Sequence, residues 1–274
     1  MTPKIALVTG ASSGIGEATA RELLERGYTV YGAARRVERM AELARLGVRT
    51  IALDVTDEES AEKAVAEIVA EAGRIDLLVN NAGYGSYGSV EEVPLQEGRY
   101  QFEVNVFGAA RLIQLVLPVM RAQRSGRIVN ISSMGGKIHT PMGAWYHGTK
   151  FALEGFSDAL RMEVRPFGID VVVVEPGGIA TEWGGIAVDH LLEVSGEGPY
   201  QDVAGKLAKG LSSGANARLM SKPSVIAKTV SKAASSRRPR TRYAAGFGAK
   251  PLIFLRRVLP DRAFDALITR AVAS

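Results

Sequence analysis

The run TGASSGIG, from Thr9 to Gly16, lies between a short β-branched and apolar stretch, Ile5–Thr9, and a segment with helical periodicity from Gly14 to Arg26. A buried strand that ends in a glycine turn and continues as a helix narrows the folds open to the chain. Glycines at 10, 14 and 16 permit a tight turn and let backbone approach a ligand closely. The helix N-terminus then presents free N–H groups and the positive end of a dipole, which suit a pyrophosphate. The turn residues Gly10, Ser12, Ser13, Gly14, Ile15 and Gly16 are therefore candidate cofactor contacts.

The same alternation continues. Strands are expected at Thr29–Ala34, Val48–Leu53, Ile75–Val79, Arg127–Ile131 and Ile169–Val174. Helices are expected at Val37–Leu46, Asp57–Ala72, Leu95–Arg124 and Trp145–Pro166, with Gly98 and Gly108 weakening the third. Strands separated by helices of these lengths imply an α/β fold with a parallel sheet and right-handed crossovers. After Pro176 the rhythm fails until about Pro223, which reads as a mobile loop rather than a second domain. The expected organisation is one domain over residues 1–274, with a substrate loop or lid at 178–222 and a basic C-terminal extension at 223–274.

An acidic residue near the end of the second strand would bind the ribose 2′-OH of NAD. Here the strand end reads YGAARR, so Arg35 and Arg36 occupy that region, and a guanidinium suits a 2′-phosphate. NADP is thus expected in preference to NAD.

Tyr146 and Lys150 are four apart in a helical segment, which puts both on one face. A free phenol titrates near 10 and exchanges protons poorly at neutral pH. A neighbouring ammonium favours the phenolate, so the spacing suits moving a proton on or off an alcohol or carbonyl oxygen.

Composition limits the alternatives. The chain has no cysteine, which excludes disulfides, thiolate nucleophiles and cysteine–zinc sites and suits a reducing cytoplasm. The three histidines, His139, His147 and His190, lack metal-ligand spacing, so no metal is expected, and His147 reads as an incidental neighbour of Tyr146. The N-terminus lacks the apolar core of a signal peptide, and no stretch is expected to reach the length of a membrane span. The net charge of +5 is uneven: from Lys222 to Ser274 twelve Lys/Arg face two Asp/Glu. Apolar residues interrupt that basic tail, including RRPRTR at Arg237–Arg242 and a helix near Pro260–Val272. It is expected to pack on the body or on a second subunit, with a membrane surface as the second reading and nucleic acid last.

Together these motifs resemble the short-chain dehydrogenases/reductases in the branch that carries TGxxxGIG, NNAG, an Asn/Ser/Tyr/Lys set and PGxxxT. Here they are Thr9–Gly16, Asn80–Gly83, Asn105, Ser133, YHGTK at Tyr146–Lys150 and PGGIAT at Pro176–Thr181. The resemblance implies a Rossmann-like, doubly wound, three-layer α/β/α fold, nicotinamide-dependent oxidation or reduction of an alcohol/carbonyl pair, and a homodimer or homotetramer. It implies that Tyr146 is the acid/base, and that Lys150 lowers its pKa and binds the nicotinamide ribose. Ser133, rather than Ser132, would hold the substrate oxygen, and Asn105 a helix bend and a water. It places Asp54 and Val55 at the adenine edge, Asn81, Ala82 and Gly83 near the adenosine ribose, and Pro176, Gly177, Ile179 and Thr181 beside the carboxamide. Branches using NADP often carry a basic residue in the glycine turn, and Ser12 and Ser13 stand there instead. The segment HTPMGAW (139–145) should line a substrate pocket. Trp183, Ile186, Val188, Leu191 and Leu192 read equally as an apolar lid or a helix packed on the core; a lid would suit a steroid, a retinoid or another lipophilic carbonyl compound. A nicotinamide-sensing regulator on the same fold remains the alternative function, and an epimerase or dehydratase a third.

Overall fold

The computed structural model describes residues 3–212 and 218–273. Seven parallel strands form one sheet in the order β3-β2-β1-β4-β5-β6-β7. They are β1 Ile5–Thr9, β2 Thr29–Ala34, β3 Arg49–Ala52, β4 Leu77–Asn80, β5 Gly126–Ile131, β6 Ile169–Pro176 and β7 Arg242–Ala245. The central strands are near-continuous β-branched and apolar runs, buried along their length in β1 and β4 and at all but one position of IDVVVVEP in β6. That composition is what a strand covered on both faces requires.

Side chains alternate between two cores. Leu7, Tyr31, Leu78, Ile128 and Val171 face one layer, where they meet Ile68 of α3 (Glu58–Ala72), Leu112 and Val116 of α5 (Gly108–Gln123) and Leu160 of α6 (Ala144–Val164). Ala6, Val8, Val30, Val79, Val129 and Val172 face the other. There they meet Ala20 and Leu23 of α1 (Gly14–Glu25), Leu43 of α2 (Ala41–Leu46), and Ile226 and Val230 of the helix Pro223–Ser235. The result is a Rossmann-like α/β/α sandwich whose strand order reverses between β1 and β4, opening a crevice at their carboxyl ends.

Three departures from the sequence reading have physical causes. The stretch after Pro176 holds two helices, α7 (Trp183–Ser195) and α8 (Gln201–Ser212), instead of an irregular loop; residues 213–217 lie outside the described residues. In α7, Ala187, Leu191 and Ser195 are buried at four-residue spacing, a period hidden by Gly184 and Gly185. The end of the basic run at Arg242 opens a strand, RYAA, too short to show alternation before it pairs with β6. The third concerns hydropathy: α4 (Leu95–Phe102), a π-helical turn (Glu103–Phe107) and α5 form one apolar run, Leu95–Gln123, long enough to cross a membrane by length and composition. Its apolar face covers the sheet, with Leu112, Ile113, Val116 and Met120 fully buried. Glycine is needed at position 108, the first of α5, because a Cβ there would lie 2.8 Å from Val55 Cβ.

The C-terminal segment packs on the body. Phe264 and Ile268, in the helix Asp261–Ala273, are buried against Ile138, and His139 meets the Phe264 ring edge-on at 5.4 Å while pairing with Asp265 at 2.8 Å.

Candidate active site

The crevice is built first by Thr9. Its hydroxyl donates to Val79 O and accepts from the N–H groups of Asn81 (3.0 Å) and Ala82 (2.9 Å). The Asn81 amide donates back to Thr9 O at 2.9 Å, so the ends of β1 and β4 are held together. Gly10 and Gly14 adopt φ of 64° and 57°, a left-handed region that glycine enters without steric cost. At Gly16 a Cβ would sit 2.2 Å from Gly10 O. Ser13 caps α1 with no side-chain hydrogen bond, leaving first-turn N–H groups to the crevice. Ser12 and Ser13 are half-buried at the turn, and Ile15 packs against the second core. Close backbone approach and unfilled helix-end donors are what a dinucleotide pyrophosphate needs, so these residues fit that group.

Arg35 and Arg36 follow β2 directly and are both exposed. Arg35 donates to the Tyr100 hydroxyl at 3.1 Å, whereas the Arg36 guanidinium has no hydrogen bond or ion pair among the described residues. Asp54 is committed locally: its Oδ1 accepts from Thr56 N and Thr56 Oγ1 at 3.0 and 2.8 Å. Val55 is buried against Gly108. Across the sheet, Pro176 ends β6, and Gly177 and Gly178 donate to Ala245 O and Phe247 O, both at 2.8 Å. Ile179 bridges to Ser221 and packs on the second core. A Cβ on Gly14 would lie 3.1 Å from Thr181 Cγ2, so the loop after β6 overhangs the glycine turn.

Tyr146 and Lys150 share one face of α6 and are 8% and 7% exposed. Lys150 Nζ lies 5.9 Å from the Tyr146 ring centroid and donates to Ile131 O at 3.0 Å. Ser133 caps a 3-10 turn, its hydroxyl accepting from Gly135 N at 2.9 Å, and lies near enough to the phenol to lower its pKa, while Ser132 Oγ is buried with no partner among the described residues. Asn105 sits in the π-helical turn; its Oδ1 accepts from Tyr84 N at 3.0 Å, and its Nδ2 donates to Tyr84 O at 2.8 Å and Thr149 Oγ1 at 3.1 Å. Gly83 is wedged between them, since a Cβ there would lie 2.9 Å from Asn105 Oδ1 and 3.8 Å from Lys150 Nζ.

A family model described as short chain dehydrogenase matches residues 4–189, which contain the whole crevice. The chain belongs to the short-chain dehydrogenase family. It is 44% identical over 182 residues to a 3-ketodihydrosphingosine reductase of Bacteroides thetaiotaomicron, a match covering 66% of each chain. A short-chain dehydrogenase from Streptomyces avermitilis superposes with a TM-score of 0.83 at 36% identity, over 98% of this chain and 96% of that one. The closed form of a serine dehydrogenase complexed with NADP⁺ superposes at 0.77 and 26% identity, over 88% and 94%. The protein is therefore an oxidoreductase with a nicotinamide cofactor and a small-molecule substrate.

One electrostatic expectation is reversed in this short-chain dehydrogenase. Burial pushes the Tyr146 phenol up to about 12, with the Ser133 hydroxyl pulling it back, and burial pushes Lys150 down to about 8. Desolvation penalises whichever form is charged, and here it outweighs the attraction of an ammonium 5.9 Å from the ring centroid. The site encloses a phenol held protonated, ready to donate.

The substrate side is aromatic. Trp183 packs on Tyr146 at 5.1 Å between centroids, Tyr87 at 5.7 Å, and Trp183 also lies edge-on to Tyr87. Gly85 makes room, because a Cβ there would fall 2.3 Å from the Trp183 ring. Ala187 and Leu191 of α7 join this cluster with Met142 and, half-buried, Val188, while Ile186 and Leu192 are exposed. His147 is not an incidental neighbour. Its Nε2 accepts from Thr140 N at 3.0 Å and its Nδ1 lies 2.9 Å from Gly135 O, so one ring ties the turn after Ser133 to the 139–145 segment. That pattern fixes the Nδ1–H tautomer, and burial lowers the imidazole's pKa. Sequence spacing could not show it, because both partners lie in a loop folded back over α6.

Proposed function

We propose that the protein is an NADP(H)-dependent oxidoreductase that interconverts a lipophilic alcohol and its ketone or aldehyde, with Tyr146 moving the proton. The observation that carries this reading is the apolar wall of Trp183, Tyr87, Met142 and Leu191 closed over a protonated phenol. Such a wall rewards apolar substrate surface at roughly 25 cal/mol per Å² buried. The Bacteroides relative, a ketone reductase by name, supports the same direction.

When bound, the nicotinamide supplies the hydrogen and electron pair that reduce the carbonyl carbon. In this reading the Tyr146 hydroxyl gives its proton to the carbonyl oxygen, and the Ser133 hydroxyl bonds that same oxygen. Lys150 is held on Ile131 O, 5.9 Å from the Tyr146 ring centroid, where its ammonium would stabilise the phenolate left after transfer. Asn105 locks the Tyr84 backbone and Thr149, fixing the helix turn from which both side chains project. NADP preference is supported by Arg36, an exposed guanidinium beside β2 that has no hydrogen bond or close ion pair among the described residues and only a weaker attraction to Glu182. Assembly through the α4–α6 face is supported by exposed Phe107, Phe151 and Met162, and we propose a homodimer or homotetramer.

The test is a panel of ketones and aldehydes of graded apolar length, each with NADPH and with NADH. kcat/KM is expected to rise with apolar length, and turnover confined to small polar sugars or acids would refute the substrate class. Arg36→Ala is expected to raise KM for NADPH about 10-fold, the scale of one charge-assisted hydrogen bond, and to leave KM for NADH unchanged. Equal effects on both cofactors would refute the phosphate contact.

A further inference from the structure

Behind Lys150 lies a buried group of charges that the reaction above does not use. Glu154, one turn beyond Lys150 on α6, is 3% exposed, and Glu175, next to last in β6, is 4% exposed. Glu154 Oε2 accepts from Arg242 Nε and pairs with Lys137 Nζ, both at 2.9 Å. Arg242, from β7, also reaches Asp158 at 2.6 Å, and Arg161 pairs with the same carboxylate. Glu175 Oε1 stands 3.5 Å from Arg242 Nε, too far for a good hydrogen bond.

Two oxygens are left over. Glu154 Oε1 and Glu175 Oε1 are buried without a donor among the described residues, and the two carboxyls flank the same Arg242 Nε, at 2.9 and 3.5 Å. Two buried carboxyls that share one cation are easier to hold together when one of them carries a proton, and one proton between them satisfies both orphaned atoms. Glu154 has two cations at 2.9 Å and Glu175 has none that close, so the proton belongs to Glu175; burial first, and Glu154 after it, push Glu175 up to about 7. The group lies directly beneath the catalytic segment. A Cβ on Gly136 would meet Ser132 Oγ at 2.7 Å, Glu154 Cγ at 3.0 Å and Lys150 O at 3.1 Å. Burial drives Lys150 toward its neutral form, and Glu154 is the charge that opposes it.

We infer that Glu154 is a positioning residue that keeps the buried Lys150 charged, and that a proton carried by Glu175 toward Glu154 is what lets the two carboxyls share the core. The first half rests on the role given to Lys150 in the proposed function; the second does not. The charged groups facing the pair are Lys137 from the 3-10 turn, Lys150, Asp158 and Arg161 from α6, and Arg242 from β7.

The test has two arms. Glu175 is raised in the folded chain, so its contribution to stability is complete below the ordinary carboxylate range and is lost as pH rises through about 7. Tm is therefore expected to fall as pH rises from about 4.5 to about 7 and to level off above that, and Glu175→Gln, which donates permanently, is expected to remove that fall. An unchanged Tm profile in Glu175→Gln would overturn the shared proton, and this arm needs no substrate. In the second arm, Glu154→Gln is expected to move the alkaline limit of kcat/KM to lower pH by about one unit, because Lys150 loses its anionic neighbour. Glu154→Asp is expected to move it less. If Glu154→Gln does not fold, Glu154→Asp carries the measurement; an alkaline limit that stays in place in every folded variant would overturn the positioning role.

Discussion

Tyr146→Phe is expected to lower kcat/KM by about 10²–10⁴-fold, the range over which a positioned general acid contributes, while nicotinamide binding is retained. The substitution removes one hydroxyl and leaves the ring against Trp183 and Tyr87, so the aromatic cluster keeps its packing. The loss should therefore fall on the proton step rather than on folding. The phenol stands near 12 and Lys150 near 8, so Lys150 is the group of the pair that titrates first as pH rises. Activity in the reducing direction is expected to be full below about pH 8 and to fall above it as the ammonium is lost. A stopped-assay pH profile, with cofactor binding followed by quenching of the two tryptophans, separates the effects. Retention of more than a tenth of the wild-type kcat/KM in Tyr146→Phe would remove the phenol from the chemistry.

Gly16→Ala is expected to weaken cofactor binding by about 100-fold or more and to destabilise the fold by about 1–3 kcal/mol, the cost of forcing one extra carbon into a filled space. The added Cβ would stand 2.2 Å from Gly10 O and 2.5 Å from Asn81 Nδ2. Neither neighbour can yield cheaply. Gly10 O is backbone in a left-handed turn, and the Asn81 amide is the strap that holds β1 to β4. The N-terminus of α1 must retreat, taking its free N–H groups out of reach of a pyrophosphate. Gly155→Ala is the control, since a Cβ there meets nothing within 4 Å, and it should leave binding unchanged and Tm the same or slightly higher, because alanine favours a helix interior over glycine. Binding isotherms and melting curves on the two variants decide the point: equal cofactor affinity would show that the turn does not touch the phosphates.

Much of the architecture was legible because it is local. A strand of the IALVT kind, a glycine turn and an amphipathic helix each leave their period in the chain, and six strands and their helices could be located that way. The four-residue spacing of Tyr146 and Lys150 likewise carries over directly from chain to helix face. The seventh strand did not show, because RYAA gains its identity from pairing with β6 and not from its own four side chains. The helix Trp183–Ser195 was masked by two glycines, and its buried face exists because Tyr87, Met142 and Tyr146 supply the other side.

By itself, the order of residues determined which chemical groups the crevice contains: a glycine turn for phosphates, two arginines after the second strand, and a phenol one helical turn from an ammonium. Only the tertiary structure decided how those groups behave, since desolvation depends on what closes over a side chain and not on its sequence neighbours. That is why Tyr146 is raised rather than lowered, why His147 proves to be a tie between two loops, and why Glu154 and Glu175, twenty-one positions apart, come to share a core with Arg242.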